Sequence, residues 1–383
     1  MRALVEAGHQ VRVLDDFSTG KKERIATLPI EVVRADVRSG PAVRRALDGA
    51  QAVFHLAGSP APPQATHTEV LRAEDVNVAG AINVFAQAAR EHVRRVVVAS
   101  SAAVFGKSSA YVLHEDVSPQ PATPWAVQKL AVEHYARVYR EQHGVPTVTL
   151  RLARCFGPGE PWRGASLPLV PALCRAAFEG TPPRLTGEGR QSRDLLYIDN
   201  VVSALCAAAW APGAAGGLYN VASGEAISVV EVWHQIARLV GFEQQHAAEP
   251  EMVPLPRWEP VQQRLSIAHA RRHLGWMPLV PLREGLKRTV EHYRLSWLGK
   301  DNGWFAPPEL RAADDPLAEP VAPAVAPTEP PRPPPLPPAL ALASRIARPA
   351  ASAVELDAGD LVEVEDDVGF ERADDGVLPE ERA

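Results

Sequence analysis

The chain has 383 residues, 46% of them hydrophobic, and a formal net charge of −6. That is enough apolar material for one large α/β domain and a smaller lobe. The charge is uneven: residues 355–383 hold twelve acidic and two basic side chains, a net of −10, so the preceding 354 residues sum to about +4. A body this weakly cationic suits a small anionic ligand and makes no case for nucleic acid. The three cysteines, Cys155, Cys174 and Cys206, lack metal-ligand spacing. No metal site is expected, and they read as reduced thiols of a cytosolic protein. No apolar run reaches membrane-spanning length, so the chain is expected to be soluble, cytoplasmic and without membrane contact.

In chain order, residues 1–10 read as the end of a helix, with Ala3, Leu4 and Val5 apolar and Gly8 as its stop. A strand, Val11 to Leu14, ends at Asp15-Asp16, and a second, Glu31 to Arg34, ends at Ala35-Asp36. After a helix around residues 41–47 comes a third strand, Ala52-Val53-Phe54-His55, running into Leu56-Ala57-Gly58. One long helix is expected over about residues 68–92. The run Val96-Val97-Val98-Ala99-Ser100-Ser101 then reads as a buried parallel strand ending in two hydroxyls. About two dozen residues on, by the loop-plus-helix spacing of α/β units, Pro124-Trp125-Ala126-Val127-Gln128-Lys129 opens a helix. A further strand covers Thr147 to Leu152. This alternation predicts a doubly wound parallel sheet. From Gly157 the spacing loosens, as expected of a smaller lobe closing near Tyr293. The division expected is 1–156 for the sheet domain, 157–300 for the lobe, 301–354 for a linker and 355–383 for an acidic tail.

The order Ser-Ser, then Pro-aromatic-x-x-x-Lys, resembles the extended short-chain dehydrogenases, the NAD-dependent epimerase/dehydratase family that acts on nucleotide sugars. The resemblance runs from residue 1 to about Tyr293. It implies a Rossmann-type fold, NAD as cofactor, a nucleotide-sugar substrate and a homodimer. In that family the aromatic residue is the tyrosine that moves the proton, and here it is Trp125. Positions i and i+4 share a helix face, so Lys129 could assist a phenol at 125, while Ser101 would hydrogen-bond the same substrate oxygen. Indole only donates and does not ionise in the working range. It cannot supply general acid/base catalysis, a contribution of roughly 10²–10⁴-fold. Ser101, Trp125 and Lys129 are therefore the expected catalytic positions, with turnover in question.

A carboxylate at Asp15 can hydrogen-bond adenosine ribose hydroxyls and repels a 2′-phosphate, which favours NAD. The resemblance matches Asp36 to the residue beside adenine, Leu56-Ala57-Gly58 to the turn on the pyrophosphate side, and Asn77 to the helix asparagine of the fold. It matches Arg193, in Arg190-Gln191-Ser192-Arg193-Asp194, to a ligand of the nucleotide diphosphate, a role that suits the fixed planar fork of a guanidinium. The helix after Arg193 is expected to begin near Asp199, which suits an N-cap. Arg154, where many members carry asparagine, and Arg257, in Arg257-Trp258-Glu259-Pro260, complete the expected substrate contacts.

No glycine-rich turn precedes Asp15. Without the first, central strand, about 7–15 kcal/mol of apolar burial would be missing and two strand edges bared. The expectation is that Met1 is a misplaced start and that the functional product begins upstream. Fifteen of the 37 prolines lie between Pro307 and Pro379, which predicts a polyproline linker. The acidic end reads as a solvated disordered tail, and its segment Leu361-Val362-Glu363-Val364-Glu365 could add a strand to a protein partner. Two functions remain open from sequence: an NAD-dependent nucleotide-sugar epimerase or dehydratase, and a degenerate member that binds without turnover.

Overall fold

The computed structural model describes residues 1–161, 167–242 and 249–298. The first half of the chain alternates helix and strand as its apolar periodicity predicts. The helices are α1 (Arg2–Glu6), α2 (Gly40–Leu47), α3 (His67–Glu74), α4 (Gly80–Arg90) and α5 (Pro124–His143). The strands are β1 (Arg12–Asp15), β2 (Glu31–Arg34), β3 (Ala52–His55), β4 (Arg95–Ser101) and β5 (Thr147–Leu152).

The strand Leu218–Val221, β5, β4 and β3 form one parallel sheet in that order, and β1 and β2 form a separate parallel pair. Among the described residues β1 pairs only with β2, and β3 only with β4, so each keeps one open edge.

Alternation along β4 distributes its side chains between two layers. Val96 and Val98 pack with Val43, Val84, Phe85 and Val132 of α2, α4 and α5. Val97 faces the other way, into a cluster with Ala204 and Ala208 of the helix Ile198–Trp210. The sheet is therefore covered on both faces, the arrangement that parallel strands require. A third apolar cluster, with Leu173, Trp233, Ile236 and Tyr293, holds together the helices Leu169–Glu179, Val229–Val240 and Leu282–Leu298.

Two local expectations are corrected. The long helix expected over residues 68–92 is interrupted by a single π-helical turn, Asp75–Ala79, between α3 and α4. It starts where Thr66 and Glu69 form a reciprocal capping box and ends at Arg90. The other correction concerns Asp199. The N-cap of its helix is Tyr197, and the Asp199 carboxylate instead lies 3.5 Å from Arg288. The linker at 301–354 and the tail at 355–383, with Leu361 to Glu365, lie outside the described residues.

Candidate active site

The end of β4 and the start of α5 build the centre of the site. Thr123 caps α5 by accepting from the Ala126 amide at 3.2 Å, and Pro124 occupies the first turn. Helical spacing then sets Trp125, Lys129 and Glu133 along one face. Lys129 is only 9% exposed. Its ammonium donates to the Ala99 carbonyl at 2.8 Å and lies 4.7 Å from the centroid of the Trp125 ring. Among the described residues no carboxylate pairs with it, and burial pushes it down to about 8.

The alternation of β4 separates the two serines. Ser100 is buried and donates to Glu133 Oε1 at 2.5 Å, while Ser101 is half-exposed and its Oγ accepts from the Ala103 amide at 3.1 Å. Behind Ser100, Arg151 of β5 grips both Glu133 oxygens at 2.8–3.2 Å and donates to the Glu115 carbonyl at 3.1 Å. This network was not foreseen from sequence. Glu133 at i+4 from Lys129 and an arginine in mid-strand were its only signals.

Residues expected at the cofactor lie at the ends of β1, β2 and β3. Asp15 closes β1 and accepts the Phe17 amide at 2.7 Å through Oδ1, leaving Oδ2 without a partner among the described residues. Asp36 follows β2, but Arg38 engages both its oxygens at 2.6–3.0 Å and holds the carboxyl below its ordinary range. After β3, Leu56 is 55% exposed and the chain turns through Ala57 and Gly58. A Cβ on Gly58 would stand 3.3 Å from Asn77 Oδ1 and 3.5 Å from the Trp125 ring, so the indole reaches from Lys129 to this turn. Asn77, on the π-helical turn, is buried. It accepts the Ser59 amide at 2.7 Å, donates to the Ser59 carbonyl at 2.9 Å, and donates to Gln128 Oε1 at 2.7 Å. His55, at the end of β3, is fully buried and pushed down to about 4, first by burial and then by the Lys129 charge.

These residues fit NAD at its two ends. The open Asp15 oxygen suits ribose hydroxyls, and the shallow turn at Gly58, with the Lys129 ammonium beyond it, suits the nicotinamide ribose. The glycine cradle that would carry the pyrophosphate is not among the residues preceding β1.

In the second lobe Arg193 is buried, not a surface ion-pair residue. It meets Glu259 at 2.5 Å, and Glu259 also accepts from Thr186 at 3.4 Å. Arg154, exposed at the end of the sheet, lies close enough to Arg193 and Glu160 to shift the titration of both. Burial raises Glu160 to about 7. Arg257 is exposed, two residues before Glu259, with no partner among the described residues. Glu160 was not anticipated, since an isolated acid in a loop carries no periodic signal, and Glu259 stood out only as the acid two residues after Arg257, without its pairing to Arg193. The three cysteines are free thiols; burial raises Cys155 to about 12 and Cys206 to about 11. Among the described residues no group of His, Cys, Asp and Glu could hold a metal ion, and no helix is long and apolar enough to cross a membrane.

Residues 1–222 match the family described as the NAD dependent epimerase/dehydratase family. A UDP-glucose 4-epimerase from Mycolicibacterium smegmatis is 31% identical over 297 residues, covering 76% of this chain and 93% of that protein. Among solved structures, an epimerase from Methanothermobacter thermautotrophicus superposes with a TM-score of 0.70 at 30% identity, over 77% of this chain and 88% of the other. A UDP-glucose 4-epimerase from Thermus thermophilus, solved with NAD, gives a TM-score of 0.68 at 28% identity, over 76% and 94%.

Proposed function

The chain belongs to the NAD dependent epimerase/dehydratase family, and from that premise we propose that it transiently oxidises a hydroxyl-bearing carbon of a nucleotide-linked hexose. NAD is the cofactor, and when bound it supplies the acceptor for the hydride taken from the sugar. The observation that carries the reading is the Trp125 ring, which links the Lys129 ammonium, held on the Ala99 carbonyl of β4, to the turn at Gly58.

Each residue then has a role its surroundings support. The half-exposed Ser101 hydroxyl orients the reacting sugar oxygen. Lys129 holds the nicotinamide ribose, and Trp125 fills the position beside the reacting carbon. Asp15 binds the adenosine ribose. Asp36 borders the adenine side, with its charge already matched by Arg38. Asn77 and Gln128 fix the turn at Leu56, Ala57 and Gly58. Arg193 and Arg154 form a doubly cationic end for a diphosphate, with Arg257 at its rim. UDP-hexoses are the first substrates to try, because two of the relatives named above are UDP-glucose 4-epimerases. Cytoplasmic residence belongs to the same reading and is supported by the three free thiols. Pairing of two copies rests on the resemblance, and a protein partner for the acidic end rests on its composition.

Trp125 favours a second reading, a member that binds nucleotide sugar and NAD without turnover, because indole carries no transferable proton at working pH. Assaying NADH formation from NAD with a panel of UDP- and dTDP-sugars separates the two. On this second reading, replacing Trp125 by tyrosine should raise turnover by roughly 10²–10⁴-fold, the value of a positioned acid/base group. Activity confined to Trp125→Tyr supports the binding member. Measurable wild-type turnover supports the enzyme. Failure of the wild-type protein to bind NAD sinks both.

A further inference from the structure

The acid/base position is held by a residue that cannot act, yet an ionisable group sits against it. Lys129 Nζ is buried, 4.7 Å from the Trp125 ring centroid, and among the described residues its hydrogen bond is to the Ala99 carbonyl alone, at 2.8 Å. A buried ammonium is ordinarily matched by a carboxylate, because desolvation disfavours the charged form. In this chain the match is made elsewhere. Glu133, one turn along α5, is saturated by Ser100 and by the two-pronged grip of Arg151.

The other elements packed on α5 bring Lys129 little compensation. Of their charged or titratable groups, His55 of β3 is buried and held neutral, and Arg151 of β5 is committed to Glu133. Arg95 stands at the opposite end of β4 from Ser101 and donates to the Ala208 carbonyl, Arg90 closes α4, and Asp75 on the π-turn is exposed. Lys129 is thus a cation supported by one carbonyl and one π face, close enough to the nominal acid/base residue to take over its task.

We propose that Lys129 Nζ is itself the proton carrier of this site, with Trp125 acting as the apolar wall that keeps its ammonium poorly solvated. The inference rests on the oxidation read in the preceding subsection. The neutral amine forms an N–H bond as the sugar O–H bond breaks. The electrons of that O–H bond become the second carbon–oxygen bond, and the carbinol hydrogen leaves with its electron pair to the family's nicotinamide cofactor. The sugar is oxidised by two electrons. The ammonium returns the proton when the hydride comes back. Burial holds the lysine at about 8, so the amine fraction, near a tenth at pH 7, grows steeply over the next two units. Burial is also how lysines are tuned to act as general bases.

Two measurements on the full-length protein test this. The first needs no ligand: tryptophan fluorescence is titrated from pH 6 to 10 in the wild type, Lys129→Met and Trp125→Phe. A cation leaving the indole face should give a transition near pH 8 that both variants lack. A wild-type curve identical to that of Lys129→Met overturns the proposal.

The second measurement is the pH dependence of NADH formation with UDP-glucose. Turnover should rise through the same midpoint. Lys129→Arg, which keeps the charge but releases no proton in this range, should lose at least ~100-fold in kcat while still binding NAD. A Lys129→Arg enzyme with wild-type turnover and pH profile overturns the proposal, because positioning alone then suffices. Wild-type protein that binds NAD but never turns over also overturns it. Protein that binds no NAD refutes the reading beneath it, and the ligand-free titration distinguishes that failure from the others.

Discussion

Two buried cations packed at the contact of α5 with the sheet are treated in opposite ways. Arg151 meets a carboxylate that fits it: Glu133 accepts three of its hydrogen bonds and Ser100 completes the shell. Lys129, four residues before Glu133 on the same helix, meets a carbonyl and an indole. Simple stability would pair every buried charge. Leaving one unpaired beside the half-exposed end of the serine strand costs folding energy and yields an amine that can exchange a proton. The contrast separates what holds α5 to the sheet from what the site does with it.

The largest expected effect comes from breaking the matched pair. Glu133→Ala leaves the Arg151 guanidinium buried without its counter-charge, which should lower unfolding free energy by about 3–5 kcal/mol. Denaturant midpoints measure it. A loss under about 1 kcal/mol would place the pair among weak surface bridges and erase the contrast.

The unmatched cation should respond with the opposite sign. Lysine in the unfolded chain titrates near 10.5, but in the fold near 8. Between those values the unfolded chain binds more protons, so wild-type stability rises with pH through that window and is lower by up to about 3 kcal/mol below it. Lys129→Met keeps the length without the charge. It should therefore stabilise the protein at pH 7 by as much as that amount, with the gain fading between pH 8 and 10.5. Destabilisation at pH 7 would mean that the π face and carbonyl compensate the ammonium fully.

Much of this arrangement was legible in the sequence. The apolar runs placed three of the four strands of the main sheet, all but Leu218–Val221, and Pro124 marked the start of α5. The order of motifs gave the family, and Trp125 marked the position where the family's chemistry departs. What escaped was contact between residues far apart in sequence. Nothing in Asp75–Ala79 reveals a π-turn, because its side chains suit an α-helix equally well. Nothing in Ser100 says that its hydroxyl is taken up by Glu133 of α5, since a one-residue change of face reverses a strand side chain's surroundings. Asp199 was misplaced as a cap because local propensity favoured it, whereas tertiary packing set the helix start two residues earlier.

Arg193 offers an intermediate case and the smallest expected effect. It is buried like Arg151, but its partner Glu259 has a side chain 26% exposed and, among the described residues, is held otherwise only by a long contact from Thr186. A carboxylate so placed occupies the donor fork that a diphosphate would need, so any anionic ligand must displace or share it. Glu259→Gln keeps an acceptor for the guanidinium while removing the competing charge. Because the partner is partly solvated, the change should be about 1 kcal/mol, roughly a 3–10-fold tighter Kd for UDP by calorimetric titration. The sign is decisive. Tighter binding makes Arg193 a cation kept in reserve by a removable acid, between the extremes of Arg151 and Lys129. Weaker binding would make Glu259 the residue that aims the fork, and Arg193 would then join Arg151 as a cation whose partner is part of its structure.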